Sequence, residues 1–312
     1  MLSVDFVSQA ADGVVQFGAS ALPSNMRNAT TTSFAFLEIG NMHQGLMAFD
    51  ATPGASGFYR VCSGGECSTV FHVVPNVAAG EERFAVFGDF GLTNDVSMSD
   101  LIAEAAKGSY DSVLHVGDWA YDFDKLGSIV GNAFMDLAQG YMAVKPVVVA
   151  EGNHEACGAC LQNVPEIPFS ANNFTQYGEA LLSSLARGVS PLTHTPAPDD
   201  SLRRYKSRFH SVSLNSNTGN NRYYSVNRGL AHFLVFTAES FVYSVSDVFN
   251  DNMVAFMKAD LAAVDRKVTP WVIALVHKDW RMQPNAYAAF NSVLEAGGVD
   301  VLFCGHEHYC EK

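Results

Sequence analysis

Apolar and polar positions fall into two textures along the chain. Up to about residue 78 they form short, roughly alternating runs, Gly13 to Gly18, Thr32 to Ile39, Gly57 to Cys62 and Ser68 to Val74. Turn residues such as Thr52-Pro-Gly and Ser63-Gly-Gly separate them, which predicts a small β-sandwich. Pro75 to Glu82 reads as a linker. From Arg83 onward the strands are continuous apolar runs, each closing on glycine and polar residues: Arg83 to Phe87, Ser112 to Val116, Pro146 to Ala150, Ala231 to Thr237, Pro270 to Val276 and Val299 to Cys304. Helical periodicity runs through Val96 to Ala106, Asn252 to Val264 and Ala286 to Glu295. Apolar strands with amphipathic helices between them predict parallel strands buried on both faces. Cys157 to Asn227, rich in Asn, Ser and Pro, is too long for an ordinary connection and predicts an insertion that covers a site.

Composition narrows the class of function. The chain has 312 residues, 48% of them hydrophobic, enough for two globular domains. Its longest apolar runs, such as Trp271 to Val276, fall far short of the ~20 residues that span a bilayer. Nineteen Lys plus Arg against 32 Asp plus Glu give a net charge of −13 without a basic stripe, which speaks against nucleic acid. An acidic protein still takes an anionic substrate where metal cations supply local positive charge.

The first ten residues lack the basic and apolar regions of a leader peptide. Six cysteines nevertheless fall in three close pairs, Cys62 with Cys67, Cys157 with Cys160 and Cys304 with Cys310. Sequons occur at Asn28 and Asn173. The expectation is a secreted or lysosomal or vacuolar protein whose leader is missing from this sequence. A Cys62 to Cys67 bridge would clamp a hairpin. Cys157 and Cys160 read as a local disulfide ahead of a redox pair, and Cys304 is either bridged to Cys310 or buried on its strand.

Metal-capable residues follow five of the predicted strands: Gly88-Asp89-Phe-Gly, Gly117-Asp118-Trp-Ala-Tyr121, Gly152-Asn153-His154-Glu155, Val276-His277 and Gly305-His306-Glu-His308. Gly-Asp and Gly-Asn alone are ordinary turn pairs. Repeated at strand ends of an open α/β sheet they should converge, because the ligand crevice lies beyond the carboxyl ends of the strands. Each preceding glycine is expected to turn the backbone sharply off its strand. His115 and His232 lie inside apolar strands and read as core residues or residues behind the site, while His43, His72, His194 and His210 have no ligand spacing.

These blocks, in this order, resemble those of the purple acid phosphatases within the calcineurin-like metallophosphoesterases. The resemblance implies a two-sheet α/β sandwich over residues 79–312, preceded over residues 1–78 by a small all-β, fibronectin type III-like domain. By position, Asp89, Tyr121 and His308 would hold Fe(III), and Asn153, His277 and His306 a divalent Fe, Zn or Mn, with Asp118 bridging. Carboxylate and phenolate suit a trivalent ion, imidazole and amide a divalent one. Two such ions and a bridging hydroxide leave about +1 on the site. The implied reaction is two-metal hydrolysis of a small phosphate monoester by a metal-bound hydroxide, with His154 binding phosphate or protonating the leaving alcohol. The competing readings are a phosphodiesterase or protein phosphatase of the same superfamily, and a catalytically silent binding module.

The chain departs from the family pattern in three places. Ala274 stands where the family has Val. Lys278-Asp-Trp-Arg281-Met-Gln-Pro lacks the downstream histidines of plant members, so Lys278, Arg281 or a residue of the long insertion would take their place. Tyr309-Cys-Glu-Lys replaces Ala-Tyr-Glu-Arg, and the ending at Lys312 leads to the expectation that C-terminal strands of the family fold are missing.

Overall fold

The computed structural model describes residues 2–36, 40–50, 52–77, 82–92, 96–125, 127–156, 200–243, 246–279 and 284–308. Cys157, Cys160, Asn173, His194, Arg281 and Cys310 lie outside these residues.

The amino-terminal part is all β. Strands β1 (Leu2–Ser8), β4 (Thr30–Ala35) and β5 (Asn41–Met47) form one antiparallel sheet in the order β1-β5-β4. The second sheet contains β2 (Val14–Gly18), β3 (Arg27–Asn28), β6 (Gly57–Ser63), β7 (Glu66–Cys67) and β8 (Phe71–Val73). Val15, Phe17, Met47, Tyr59 and Val73 fill the space between them. Cys62 pairs with Cys67 across a hairpin and is disulfide-bonded to it, as expected. β1 and β5 escape the sequence pattern because β5 buries polar residues. His43 is fully buried, held between the hydroxyls of Ser8 and Ser33 at 2.8 and 2.7 Å, and Gly45 gives room to Val15.

The remainder of the chain contains two sheets. Strands β9 (Phe84–Phe87), β10 (Ser112–His115) and β11 (Val147–Val149) pair in parallel in the order β11-β10-β9. The second sheet has the order β12-β13-β14-β15, with β12 (Tyr224–Arg228) antiparallel to β13 (Ala231–Val235). From β13 through β14 (Trp271–Leu275) to β15 (Val301–Phe303) the pairing is parallel, as the apolar runs predict. The Tyr224 hydroxyl ties the sheets together, accepting from the Val149 amide and donating to its carbonyl. Beside it, buried Glu151 pairs through both oxygens with buried Arg222.

Helices α1 (Met98–Lys107), α2 (Ile129–Met142) and α3 (Asn153–Ala156) serve the first sheet. Helix α2 lacks a clear periodicity because its residues are buried on most sides, and Gly131 and Gly140 admit Phe123 and Ile102. The described end of the expected insertion is not loop. It forms α4 (Asp200–Arg208), α5 (His210–Asn215) and β12, with Tyr205 and Arg204 buried. Helices α6 (Glu239–Val242), α7 (Asp247–Ala263) and α8 (Pro284–Ala296) belong to the second sheet. Among the described residues no helix is long and apolar enough to cross a membrane.

Several contacts join the β-sandwich to the rest of the fold, among them a T-shaped contact of Phe34 with His210 at 5.6 Å. Tyr59 donates its hydroxyl to the Ala143 carbonyl at 2.7 Å. The Arg208 guanidinium lies 5.1 Å from the Phe36 ring and 5.2 Å from the Phe123 ring. Asp5 accepts the Ser211 hydroxyl at 2.7 Å, and burial pushes its carboxyl up to about 7. An acid whose folded pKa lies above its ordinary 3.8 takes up a proton on folding between those values. Its contribution is therefore most favourable below about pH 3.8, erodes as pH rises, and levels off above about 7. Asp5→Asn should leave stability near pH 4 almost unchanged and raise it relative to wild type at pH 7.5, as measured by denaturant unfolding at both pH values. A gain independent of pH would show that the buried charge is not the cause.

Candidate metal centre

The ends of β9, β10, β11, β14 and β15 converge on one cluster of side chains. Asp89, Tyr121 and His308 form its first half. Tyr121 Oη lies 2.7 Å from His308 Nε2 and 3.2 Å from Asp89 Oδ1, and His308 Nε2 lies 3.3 Å from the same carboxylate oxygen. The second half surrounds His277 Nε2, which lies 3.2 Å from Asp118 Oδ2 and 3.0 Å from Asn153 Oδ1. Asp118, His277 and His306 each place a donor atom within 4.8 Å of the others, a spacing that could hold a metal ion. The halves adjoin, with His277 Nε2 3.9 Å from Asp89 Oδ1. All seven side chains expected as ligands are thus brought together.

The backbone reaches this arrangement by a route that the sequence pattern does not anticipate. Gly88, Gly152 and Gly305 do not turn the chain through left-handed geometry. The metal-capable residues do so themselves, Asp89 at φ 57°, Asp118 at 52°, Tyr121 at 47°, His306 at 79° and His308 at 53°. Such φ values cost a non-glycine residue on the order of 1 kcal/mol or more, and they persist where surrounding contacts impose them. The glycines provide room instead. A Cβ on Gly152 would fall 2.1 Å from Asp118 Oδ1, and one on Gly305 would fall 2.4 Å from Asp89 Oδ2. Of the glycines that open the blocks, Gly117 alone has positive φ, 95°.

Electrostatics fit the donor set to a cation. Burial opposes the charge on Asp118, but the adjacent His277 imidazole holds its carboxyl down at about 2. Burial likewise opposes the charge on His277, and Asp118 overcomes it, raising the imidazole to about 10. The proton on His277 Nε2 lies between two oxygen donors, where a cation would take its place. His277 Nδ1 donates to the Val116 carbonyl at 2.8 Å, which fixes the ring with Nε2 facing the cluster. His306 is kept neutral, its pKa lowered to about 4 by burial and then by the charge of Lys278. Burial and the Asp118 and Asp89 carboxylates push the Tyr121 phenol upward, so a phenolate here requires a cation beside it.

Three further side chains support the cluster without being singled out by spacing. Glu155 is fully buried and accepts the amides of Asp118, Trp119 and Gly152, each at 2.9 Å, binding the loop after β10 to the loop after β11. Burial pushes its carboxyl well above the ordinary range. Asp122 accepts from His154 Nδ1 at 2.5 Å, leaving Nε2 3.9 Å from Asp118 Oδ2. Glu239, buried at the start of α6, faces Lys278. Glu155 closes the third block, so position marks it, whereas no sequence signal pointed to Asp122 or Glu239.

The other expectations divide. Trp119 and Phe123 are fully buried walls, and His115 stacks on Trp119 with centroids 3.6 Å apart. His232 joins Asp260 and Asn227 at 2.8 and 2.6 Å, away from the cluster. Cys304 is exposed, which corrects the reading of a thiol buried on its strand: β15 is the last strand of its sheet among the described residues, and its Val301 and Leu302 are exposed as well. Asn28 is exposed on β3.

Residues 82–310 match the family of calcineurin-like phosphoesterases. The chain belongs to that family. Among curated relatives, Acid phosphatase type 7 of Mus musculus is 26% identical over 96% of this chain and 64% of its own length. Purple acid phosphatase 18 of Arabidopsis thaliana is 28% identical over 91% and 56%. The solved structure of purple acid phosphatase PPD1 from yellow lupin seeds has the same fold, with a TM-score of 0.63 at 19% identity over 98% of this chain and 56% of that one. The chain thus spans roughly half to two thirds of the length of these proteins.

The Glu155 clamp gives a direct test. Glu155→Gln retains the shape but turns an NH2 group toward at least one of the three amide donors, at a cost of about 1–3 kcal/mol. Iron and zinc affinity measured by competition with a chelator should fall roughly 10- to 100-fold, with the far-ultraviolet circular dichroism of wild type retained. Unchanged affinity would mean that the two loops hold their positions without it.

Proposed function

We propose that this chain is a metal-dependent acid phosphatase that hydrolyses phosphate monoesters at a binuclear centre. The observation that carries the reading is the meeting of two donor sets of different chemistry, His277 Nε2 of one lying 3.9 Å from Asp89 Oδ1 of the other, and in this reading Asp118 bridges them. The phenol and carboxylate of Tyr121 and Asp89 with His308 suit Fe(III), and Asn153, His277 and His306 suit a divalent Fe, Zn or Mn. When bound, such a pair of ions draws phosphate oxygens into an acidic protein and makes water a nucleophile below neutral pH.

The protein's own groups do the remainder. Asp118 and Asp89 hold the centre, while Glu155 and the Val116 carbonyl fix the directions from which the donors approach. His154 lies at the mouth of the cluster with Nδ1 fixed by Asp122, so its Nε2 is the group available to bind a phosphate oxygen or pass a proton to the departing alcohol. The same reading places residues 1–78 as a fibronectin type III-like unit and 79–312 as the metallophosphoesterase unit. A secreted or lysosomal or vacuolar setting agrees with the Cys62–Cys67 disulfide and with the exposed sequon at Asn28.

The test is to load the chain with iron and zinc, record the visible spectrum and measure hydrolysis of an aryl phosphate. Wild type should show a phenolate-to-Fe(III) charge-transfer band that Tyr121→Phe lacks while remaining folded. A colourless iron-loaded wild type would remove Tyr121 from the donor set. At matched metal occupancy Asp118→Asn should be at least about 10-fold less active than Asn153→Ala, because one carboxylate serves both ions. Equal residual rates would contradict a bridging role.

A further inference from the structure

Lys278 follows His277 directly as the chain leaves β14, and its side chain is 14% exposed. An ammonium has three N–H donors. Among the described residues none is used in a hydrogen bond: the nearest carboxylate oxygen, Glu239 Oε2, is 3.5 Å away, and the Tyr243 ring centroid is 5.7 Å away. Glu239 is itself fully buried, and neither of its oxygens has a hydrogen-bond partner. A buried carboxylate in that condition needs a cation nearby. It tethers the ammonium by charge without consuming its donors, and the Tyr243 ring face adds a cation–π contact. Lys278 directly follows His277, whose Nε2 faces the cluster, so its backbone stands at the cluster end of the strand.

We propose that Lys278 is a specificity-determining residue that donates to a non-esterified oxygen of the substrate phosphate and selects monoesters over diesters, with Glu239 and Tyr243 as its positioning residues. The inference rests on the phosphatase reading above. A monoester carries one more non-esterified oxygen and, near neutral pH, one more negative charge than a diester. A cation with unspent donors beside the metal donors discriminates on that difference, since a charge-assisted hydrogen bond is lost when the oxygen is esterified. Tethering by a carboxylate without hydrogen bonds keeps the ammonium in place and limits the side-chain entropy lost when phosphate arrives.

The experiment compares metal-loaded wild type, Lys278→Met and Lys278→Arg. It measures bound iron and zinc, orthophosphate affinity by calorimetry, and kcat/KM for p-nitrophenyl phosphate and bis(p-nitrophenyl) phosphate. Lys278→Met should retain wild-type metal content, bind orthophosphate about 10- to 100-fold more weakly, and lose a similar factor on the monoester with little change on the diester. Lys278→Arg, which keeps the charge and the donors, should restore most of the monoester preference. An unchanged monoester-to-diester ratio with metal retained would overturn the proposal, and so would loss of metal in both variants, which would make Lys278 a structural residue. A wild type inactive on both esters would defeat the phosphatase reading instead. Orthophosphate affinity would then decide Lys278 alone, and equal values in wild type and Lys278→Met would reject it.

Discussion

Charge concentration is the constraint around which this molecule is arranged. Asp89, Asp118 and Glu155 are brought to the ends of neighbouring strands, and Glu151 and Glu239 are buried nearby. Each carboxylate has a different form of compensation. Glu155 has three amide donors, Glu151 has the bidentate Arg222, Asp118 has His277, and Asp89 accepts the His306 amide and the Tyr121 hydroxyl. Glu155 and Glu151 are thereby satisfied within the protein. Asp118 and Asp89 each accept one backbone amide, from His154 and His306, but their side-chain partners His277 and Tyr121 are themselves donors to a cation, so the excess negative charge is focused where a metal pair would sit.

Backbone strain and close packing follow from that concentration. Five metal-capable residues adopt left-handed φ values, and each forgoes roughly the energy of a good hydrogen bond to do so. The strain is sustained because neighbouring loops within each sheet brace one another. Asp89, Phe90 and Gly91 donate their amides to the carbonyls of Gly117, Asp118 and Trp119 in succession, and the Gly305 amide donates to the His277 carbonyl. Gly152 and Gly305 are then required for space, since a Cβ at either would displace a carboxylate of the centre. Specificity of position here is purchased with strain and with empty volume at two glycines.

Much of this was legible in the sequence, and the part that was not has a physical origin. The positions of the parallel strands β9, β10, β11, β13, β14 and β15 follow from apolar runs, because parallel strands covered on both faces leave a continuous pattern, whereas antiparallel β12 lies at the end of the stretch read as an insertion. The metal-capable blocks were legible because chemistry fixes residue type at each strand end. Helix α2 was not, being buried on most sides and so lacking an amphipathic stripe, and β5 was not, since His43 and Gln44 are buried polar residues whose side-chain hydrogen bonds come from neighbours distant in sequence. Asp122 and Glu239 were hidden for the same reason. Their partners, His154 and Lys278, lie 32 and 39 positions away, and only the fold brings them together. Gly88, Gly152 and Gly305 were read for the wrong property, conformational freedom where the structure uses small size, while Gly117 does use that freedom.

The β-sandwich reaches the centre through few intermediates. Arg208 lies over Phe36 of the sandwich and over Phe123, two residues after Tyr121, and donates to Asn132 on α2 at 2.6 Å. A guanidinium that is nearly fully buried has little freedom to adjust, so the rings above and below it hold their spacing. Ser201, at the other end of α4, donates to the His154 carbonyl at 2.6 Å. One helix thereby spans from the sandwich contact to His154, and the loop bearing Tyr121 and Asp122 is held between that helix and α2. Displacing the sandwich would remove one wall of Arg208 and loosen the Tyr121 loop. The all-β unit is therefore part of the framework that sets the donor geometry, although no side chain from it enters the metal cluster among the described residues.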